Sequence, residues 1–453
     1  MSPSTTPDAI PAPPFKFPPG YAYEMQRDIL GLADRLSSRY GGLVRIPVPG
    51  TKIFLATDAD LIHFVLVESE RSFTKGPQNK HFVPLLGRGL VLSTGAHWKQ
   101  QRRMMNPFFS SAAINGFSGH LFASIDDVLT PWKNLIGSEI DVYAEMRKLT
   151  LQIILRSLFS GQGLEYGERL FQSFNLLSEF CIRRFFSVMP LPLSLAYILR
   201  PAAKRAYNDL QSMLESLIES RRNENNSSSR TDLLSMLMEA RDEETGRPMS
   251  NQEIRDELMT IFFAGFDTTS VGLSMSLYLL SQNPEWRDSL ESEADQKVSG
   301  LIPTVEETRG FDKITKAFME SIRLYPPAYM INRCPIEDVQ YADYTLPAGS
   351  VVLISIWGVQ RSPHYWSDPP RFNPDRFSEE SERHRHRFAY IPFGGGPRVC
   401  LGKNLALLEG SMILGAILKS FRLTHRRDHV LHIKTGSTLT VANGMPMRLE
   451  ARH

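Results

Sequence analysis

Three consecutive glycines followed by a proline, Gly394–Gly395–Gly396–Pro397, cannot lie inside a helix or a strand. Within Ala389–Tyr390–Ile391–Pro392–Phe393–Gly394–Gly395–Gly396–Pro397–Arg398–Val399–Cys400 they describe a loop with unusual backbone angles that closely approaches something. Apolar Leu401, Leu405, Leu407 and Leu408 follow at helical spacing, which predicts a helix starting near Cys400. A cysteine at a helix N-terminus is well placed to be a thiolate, because unpaired N–H groups and the helix dipole both favour negative charge. The same residues also fit a buried structural cysteine beside a glycine turn, so the rest of the chain has to decide.

The loop resembles the haem-binding loop of the cytochrome P-450 family, Phe-x-x-Gly-x-Arg-x-Cys-x-Gly. Phe393, Gly396, Arg398, Cys400 and Gly402 fill every fixed position, and Ala406 fits the helix that follows. The resemblance implies that Cys400 is the thiolate ligand to the iron of a haem b. It also implies a mainly α fold with small β-sheets, the haem buried between a long central helix and the cysteine loop. Four separated motifs occur in the family's order, and the resemblance spans residues 15 to 450.

Composition sets few further limits. The 453 residues carry 51 Lys and Arg against 49 Asp and Glu, a balance that gives no sign of nucleic-acid binding. The three cysteines, Cys181, Cys334 and Cys400, are too few and too odd in number for a disulfide framework, which suits a reducing compartment. Met1 to Pro19 is polar and proline-rich, so neither a signal peptide nor a transmembrane anchor is expected. The expectation is a soluble, cytoplasmic monomer with a flexible arm over residues 1–19 and one catalytic domain over 20–453. At this length a fused flavin reductase is not expected. Electrons would therefore come ultimately from NAD(P)H through a ferredoxin or flavodoxin-type partner.

Taken in order, Ala22 to Tyr40 has a helical pattern, stopped by Gly41–Gly42. Leu43–Ile46 and Lys52–Ala56 read as a hairpin around Pro49–Gly50. Phe64 to Gly95 is loop-rich, and by resemblance arches over the substrate. In His97–Trp98–Lys99–Gln100–Gln101–Arg102, Trp98 and Arg102 share a helical face. Alone they fit a surface cation–π pair; matched to the family they resemble donors to a haem propionate, with His97 beside them. Residues 117–222 look helical throughout. Phe180–Pro201 mixes bulky apolar residues with prolines, which fits a mobile cover, a packed helix end or a membrane-surface patch; the family places its access lid here. Asn223–Arg230 reads as a solvated loop.

Ser250 and Glu253 form a capping box at the start of a long helix that Pro284 ends. Its middle, Ile261 to Leu280, is apolar enough to span a membrane, but Asp267, Thr268, Thr269, Ser270, Ser274 and Ser276 would be costly in lipid. A helix through the centre of a globular core fits better. Ala264–Gly265–Phe266–Asp267–Thr268–Thr269 resembles the family's oxygen-activation motif. Small Ala264 and Gly265 would let a flat cofactor approach, and Asp267 with Thr268 would deliver protons. Two plainer roles fit as well: Thr268 bonding back to a helix carbonyl, and Asp267 paired with a buried Arg or Lys.

Glu320 and Arg323 share a helix face, either as a surface pair or buried among Phe318, Ile322 and Leu324. By resemblance they are buried and joined by Arg376, while Arg333 is a further propionate donor. Gln360–Arg361–Ser362–Pro363 departs from the family's usual His-Arg-Asp-Pro, at residues that are not chemical. Arg383–His384–Arg385–His386–Arg387 reads as a solvated run or a docking surface for an acidic electron donor. Ser437–Thr438–Leu439–Thr440 resembles a loop reaching the active site.

The implied activity is haem-thiolate monooxygenation: one atom of O2 enters a largely apolar small molecule and the other becomes water. The same scaffold also serves oxidative coupling, desaturation or peroxide-driven oxygenation, and a different class of protein would carry or sense a gas on haem without catalysis. Phe82, Phe185, Phe186, Phe263, Phe266, Tyr329, Met330 and Leu439 are the candidate substrate wall.

Overall fold

The computed structural model describes residues 10–16, 20–160, 165–187, 190–223 and 232–452. Contacts divide the chain into two compact units: Met1–Asn79 with Met319–Cys400 and Ser437–Leu439, and Lys80–Phe318 with Leu401–Gly436 and Thr440–His453. The chain passes repeatedly from one to the other, so no linker composition marks a boundary where a single domain was expected.

In the first unit, Leu43–Val48 and Thr51–Ala56 form the expected hairpin, and the sheet continues through Val351–Ser355 and Met330–Pro335 to Phe73–Thr74. Side chains alternate across it, as strand geometry requires. Val44, Ile46, Ile53, Leu55, Val351 and Leu353 pack with Leu32, Ala33 and Leu36. Phe54, Ala56, Val352 and Ile354 pack with Leu61, Ile62 and Val65. The predicted helix over 22–40 is two helices, Tyr21–Arg27 and Ile29–Tyr40, because Asp28 leaves the helical region (φ −153°, ψ 67°) and its carboxylate caps Gly31 N–H. The arm is docked from residue 10. Ile10 is buried, and the Pro11 carbonyl accepts a hydrogen bond from Arg45 N–H. Residues 1–9 and 17–19 lie outside the described residues.

The stretch leading to the cysteine loop has little strand or helix of its own, and Glu320 organises it. Fully buried, Glu320 receives two hydrogen bonds from the equally buried Arg323, at 2.6 and 2.8 Å, and one from Asn373 N–H at 3.0 Å. Arg376 Nε stands 3.3 Å from the Oε1 that Asn373 also reaches. Arg323 also donates to the carbonyls of Gln360 and Pro369, each at 2.8 Å. Gln360, at the departure from the family pattern, is structural: its amide bonds Ile322 O and Arg323 O and accepts from Ile391 N–H.

The second unit is built on the helix Asn251–Gln282, with the capping box formed as expected. This is the described helix long and apolar enough to cross a membrane, yet 78% of its most apolar window is buried in the protein. Its serines are satisfied within the helix, Ser270, Ser274 and Ser276 donating to the carbonyls of Asp267, Ser270 and Gly272. Val142–Phe159 and Lys403–Ser420 pack against it. The helicity expected over 117–222 is interrupted at Glu139–Asp141, which pairs with Pro446–Ala451, while Asp141 caps the next helix.

Removing the Glu320 carboxylate strands two guanidinium groups in the core. Glu320→Ala should cost about 3–5 kcal/mol and give little folded protein, whereas surface Glu379→Ala should be neutral. Equal denaturation midpoints for the two variants would remove Glu320 from this role.

Candidate active site

The cysteine loop belongs to the first unit. Gly394 and Gly396 both take positive φ, 71° and 66°, which glycine adopts without strain. A Cβ on Gly396 would collide with the Leu66 carbonyl oxygen, part of a π-helical turn over Phe64–Glu68. Cys400 N–H donates to the Phe393 carbonyl at 2.9 Å, closing the loop. Cys400 is exposed, whereas Cys181 and Cys334 are buried. The helix begins later than expected, at Lys403 with Gly402 as its N-cap, because Gly396–Arg398 first makes a separate 3-10 turn. The Ala406 N–H closes the first helical bond onto the Gly402 carbonyl.

The same unit gathers three cations. Thr74 pairs with Cys334 in an antiparallel register that brings Lys75 level with Arg333. Asn332 Oδ1 fixes the approach, accepting from Gly76 N–H at 3.0 Å and from Asn79 Nδ2 at 3.1 Å. Burial, then Arg398 and Arg333, holds the Lys75 ammonium well below its usual range. Burial and Arg398 lower Arg333 to about 10, opposed by Glu70. Drawing like charges together in a poorly solvated place is unfavourable unless an anion joins them. This donor set fits a dicarboxylate such as the two propionates of haem. Sequence reasoning found Arg333 and Arg398 but missed Lys75; extending the strand register by one residue would have found it.

In the second unit, Trp98 and Arg102 lie one turn apart on the helix Gly95–Met105, Trp98 buried and Arg102 and His97 half-buried. Along the central helix, Ala264 is exposed although most of its neighbours are buried, so protein does not cover the helix there. Gly265 also has a packing role that the sequence did not show. A Cβ on it would meet Ile154 Cδ1 at 3.0 Å, so its smallness serves helix packing. Thr268 Oγ1 donates to the Ala264 carbonyl at 2.6 Å. Asp267 is buried and meets Arg147 at 3.4 Å; burial raises its pKa against the pull of that guanidinium. Arg147 is itself stacked on Phe171 and Phe266, at 4.9 and 5.1 Å. Both plainer contacts left open by the sequence are therefore present, and sequence gave no hint of Arg147.

Phe82, Phe185, Phe186 and Phe263 are half-buried and contiguous, with centroids 5.5 Å apart for Phe82–Phe185, 6.4 Å for Phe82–Phe263 and 5.1 Å for Phe185–Phe186. Three other candidates do not line an open surface. Phe266 is fully buried among Phe171, Phe174 and Phe262. Leu439 is fully buried, its N–H bonded to Pro327 O, and Tyr329 is buried too. Met330 is half-buried in its strand. The basic run is only partly solvated: Arg385 stacks on Trp366 at 4.4 Å and His386 pairs with Asp60. Val188 and Met189 of the expected cover, and residues 224–230 of the expected loop, lie outside the described residues.

The model of the family described as Cytochrome P450 matches residues 11–446. The chain belongs to the cytochrome P450 family. It is 32% identical to a cyclooctatin synthase of Streptomyces melanosporofaciens, over 89% of this chain and 87% of the relative. It is 30% identical to a pentalenene oxygenase of Streptomyces avermitilis, over 99% and 97%. The crystal structure of the cytochrome P450DA heme domain superposes with a TM-score of 0.88 at 26% identity, covering 98% of both chains. This P450 is thus an oxidoreductase of the monooxygenase type, with haem iron and O2 as the family's cofactor and co-substrate.

If Lys75 serves an anion, Lys75→Met should split two properties. Folding lowers the Lys75 pKa, so carrying the proton is unfavourable below that lowered value, and the cost fades as pH rises towards 10.5. At neutral pH the variant should make the haem-free protein more resistant to denaturant while speeding haem loss to apomyoglobin. Slower haem loss in the variant would contradict the assignment.

Proposed function

We propose that this P450 inserts one oxygen atom into a largely apolar, rigid carbon skeleton of the terpenoid kind. The observation that carries the reading is the half-buried aromatic surface of Phe82, Phe185, Phe186 and Phe263, with exposed Ala264 one residue further along the helix from Phe263. Such a surface holds a hydrocarbon by dispersion and burial and asks for no hydrogen bond in return. One relative supports the choice, since the name of the pentalenene oxygenase specifies pentalenene as the substrate of that enzyme. Electrons come from NAD(P)H through a separate ferredoxin or flavodoxin-type protein.

In this reading Cys400 supplies the thiolate to iron, and Lys75, Arg333 and Arg398, with Trp98, Arg102 and His97, hold the propionates. The bound haem supplies the oxygen-activating chemistry. The chain's own part is proton handling and placement. Thr268 donates its hydroxyl hydrogen bond to the Ala264 carbonyl, which leaves the Oγ1 lone pairs to accept from another donor. Asp267 is a carboxylate whose pKa burial has raised, held by one long contact to Arg147. Such a group takes up a proton at Oδ1 and swings from Arg147 more readily than one gripped by two short bonds. Stacking on Phe171 and Phe266 keeps Arg147 in place when the carboxylate leaves.

Two substitutions test this. Cys400→Ala should abolish the family's red-shifted band of the reduced CO complex, and an unaltered band would end the ligand assignment. Thr268→Ala should keep substrate binding and haem reduction but release hydrogen peroxide in place of product. The measurement is product and peroxide formed per NAD(P)H consumed; unchanged coupling would take Thr268 out of the proton path.

A further inference from the structure

Between Phe82 and the helix Gly95–Met105, residues 87–93 of the second unit cross the central helix without joining a strand or a long helix. Two consecutive acidic side chains of that helix hold their backbone. Asp256 Oδ2 accepts from Arg88 N–H at 2.7 Å. Glu257 accepts from Leu90 N–H with both oxygens, at 3.1 and 3.2 Å. Gln252 Nε2 steadies Asp256 at 2.6 Å, and Gln101 Nε2, from the Gly95–Met105 helix, donates to the Arg88 carbonyl at 3.0 Å.

The segment lies as close to the helix as a backbone can. A Cβ on Gly87, where φ is +55°, would collide with the Asp256 carboxylate. A Cβ on Gly89 would collide with Thr260 Oγ1 and stand 2.6 Å from the Asp256 carbonyl oxygen. Both acids are buried, and the charges that act on Glu257 are those of Asp256 and Glu253, both of its own sign. Burying two adjacent carboxyl groups is a costly way to fill space. An apolar pair would pack as well, so the acceptor oxygens themselves must be what matters at this position.

We propose that Asp256 and Glu257 form a two-carboxylate clasp on the backbone of residues 88–90, and that Glu257 is a positioning residue for the cofactor and substrate surfaces on either side. Holding this segment fixes where the following helix presents Trp98 and Arg102, and where the preceding turn presents Phe82. The second half of the inference rests on the proposed role of Trp98 and Arg102; the clasp itself does not.

Arg88 is exposed, so trypsin reports on the clasp directly. With haem-loaded protein under native conditions, Glu257→Ala should speed cleavage at Arg88–Gly89 by roughly fivefold, the effect of losing a buried hydrogen bond of about 1 kcal/mol. Glu257→Gln keeps one acceptor oxygen and should largely restore resistance. Gly89→Ala, which lifts the segment off the helix backbone while leaving both carboxyl groups in place, should match Glu257→Ala. If Glu257→Ala yields no folded holoprotein, Glu257→Asp, one methylene short of Leu90, decides in its place. Parent-like cleavage in the folded variants overturns the clasp. The same proteins are then mixed with apomyoglobin to time haem release, which should quicken in the same order. Faster cleavage with unchanged haem release overturns the positioning role alone. Unchanged haem release in Arg102→Ala would instead fault the assignment of the propionate donors.

Discussion

One carboxylate holds together the part of this protein with the least regular structure. Between residues 360 and 400 there is almost no ladder of backbone hydrogen bonds, so the chain needs another source of order. Glu320 supplies it by fixing Arg323 and Arg376, and the guanidinium of Arg323 then gathers the carbonyls of Gln360, Pro369 and Arg371. Planar geometry suits the task, because one guanidinium offers five donors in fixed directions and stacks as well, here 4.8 Å from Trp366. The loop that bears Cys400 inherits its position from this arrangement, since Gln360 also reaches Ile391 just before the glycines.

Elsewhere the protein keeps charged groups in places that disfavour them. Lys75 and Arg333 titrate low, while Asp267 and Glu257 titrate high, Glu257 at about 8. Glu409 joins them at about 8, from burial in the helix after the cysteine loop. Burial is the leading cause for all five. A fold selected only for stability would replace such groups, so their clustering along the central helix and around the cysteine loop is itself a mark of use.

Much of this was legible in the sequence where a signal is local. The capping box, the Pro49–Gly50 hairpin and the Glu320–Arg323 pair each depend on residues a few positions apart, and all three form. Contacts between distant segments were not legible. Arg147 is 120 positions from Asp267, and nothing in either neighbourhood names the other. Asp256 and Glu257 look like solvated helix charges until residues 87–90 are laid across them. Gly265 shows a related limit: a small residue announces a close approach but not its direction, and the neighbour within the protein is Ile154. Phe266 and Leu439 show the limit of counting aromatic and apolar residues near a motif, since full burial removes them from any open wall.

The serines of the central helix bear on how such an enzyme can change over generations. Ser270, Ser274 and Ser276 each bond to a carbonyl of their own helix. Losing one of these hydroxyls orphans no side chain elsewhere, so substitutions along that helix are nearly independent of one another. The Glu320 assembly is the reverse, because every member has partners that would be stranded without it. Loss of a hydroxyl at these serines is therefore cheap in hydrogen bonds, while loss of a partner in the stretch that delivers Cys400 is costly. A lineage built this way can exchange small side chains at those three positions one at a time, while the Glu320 assembly changes only as a set.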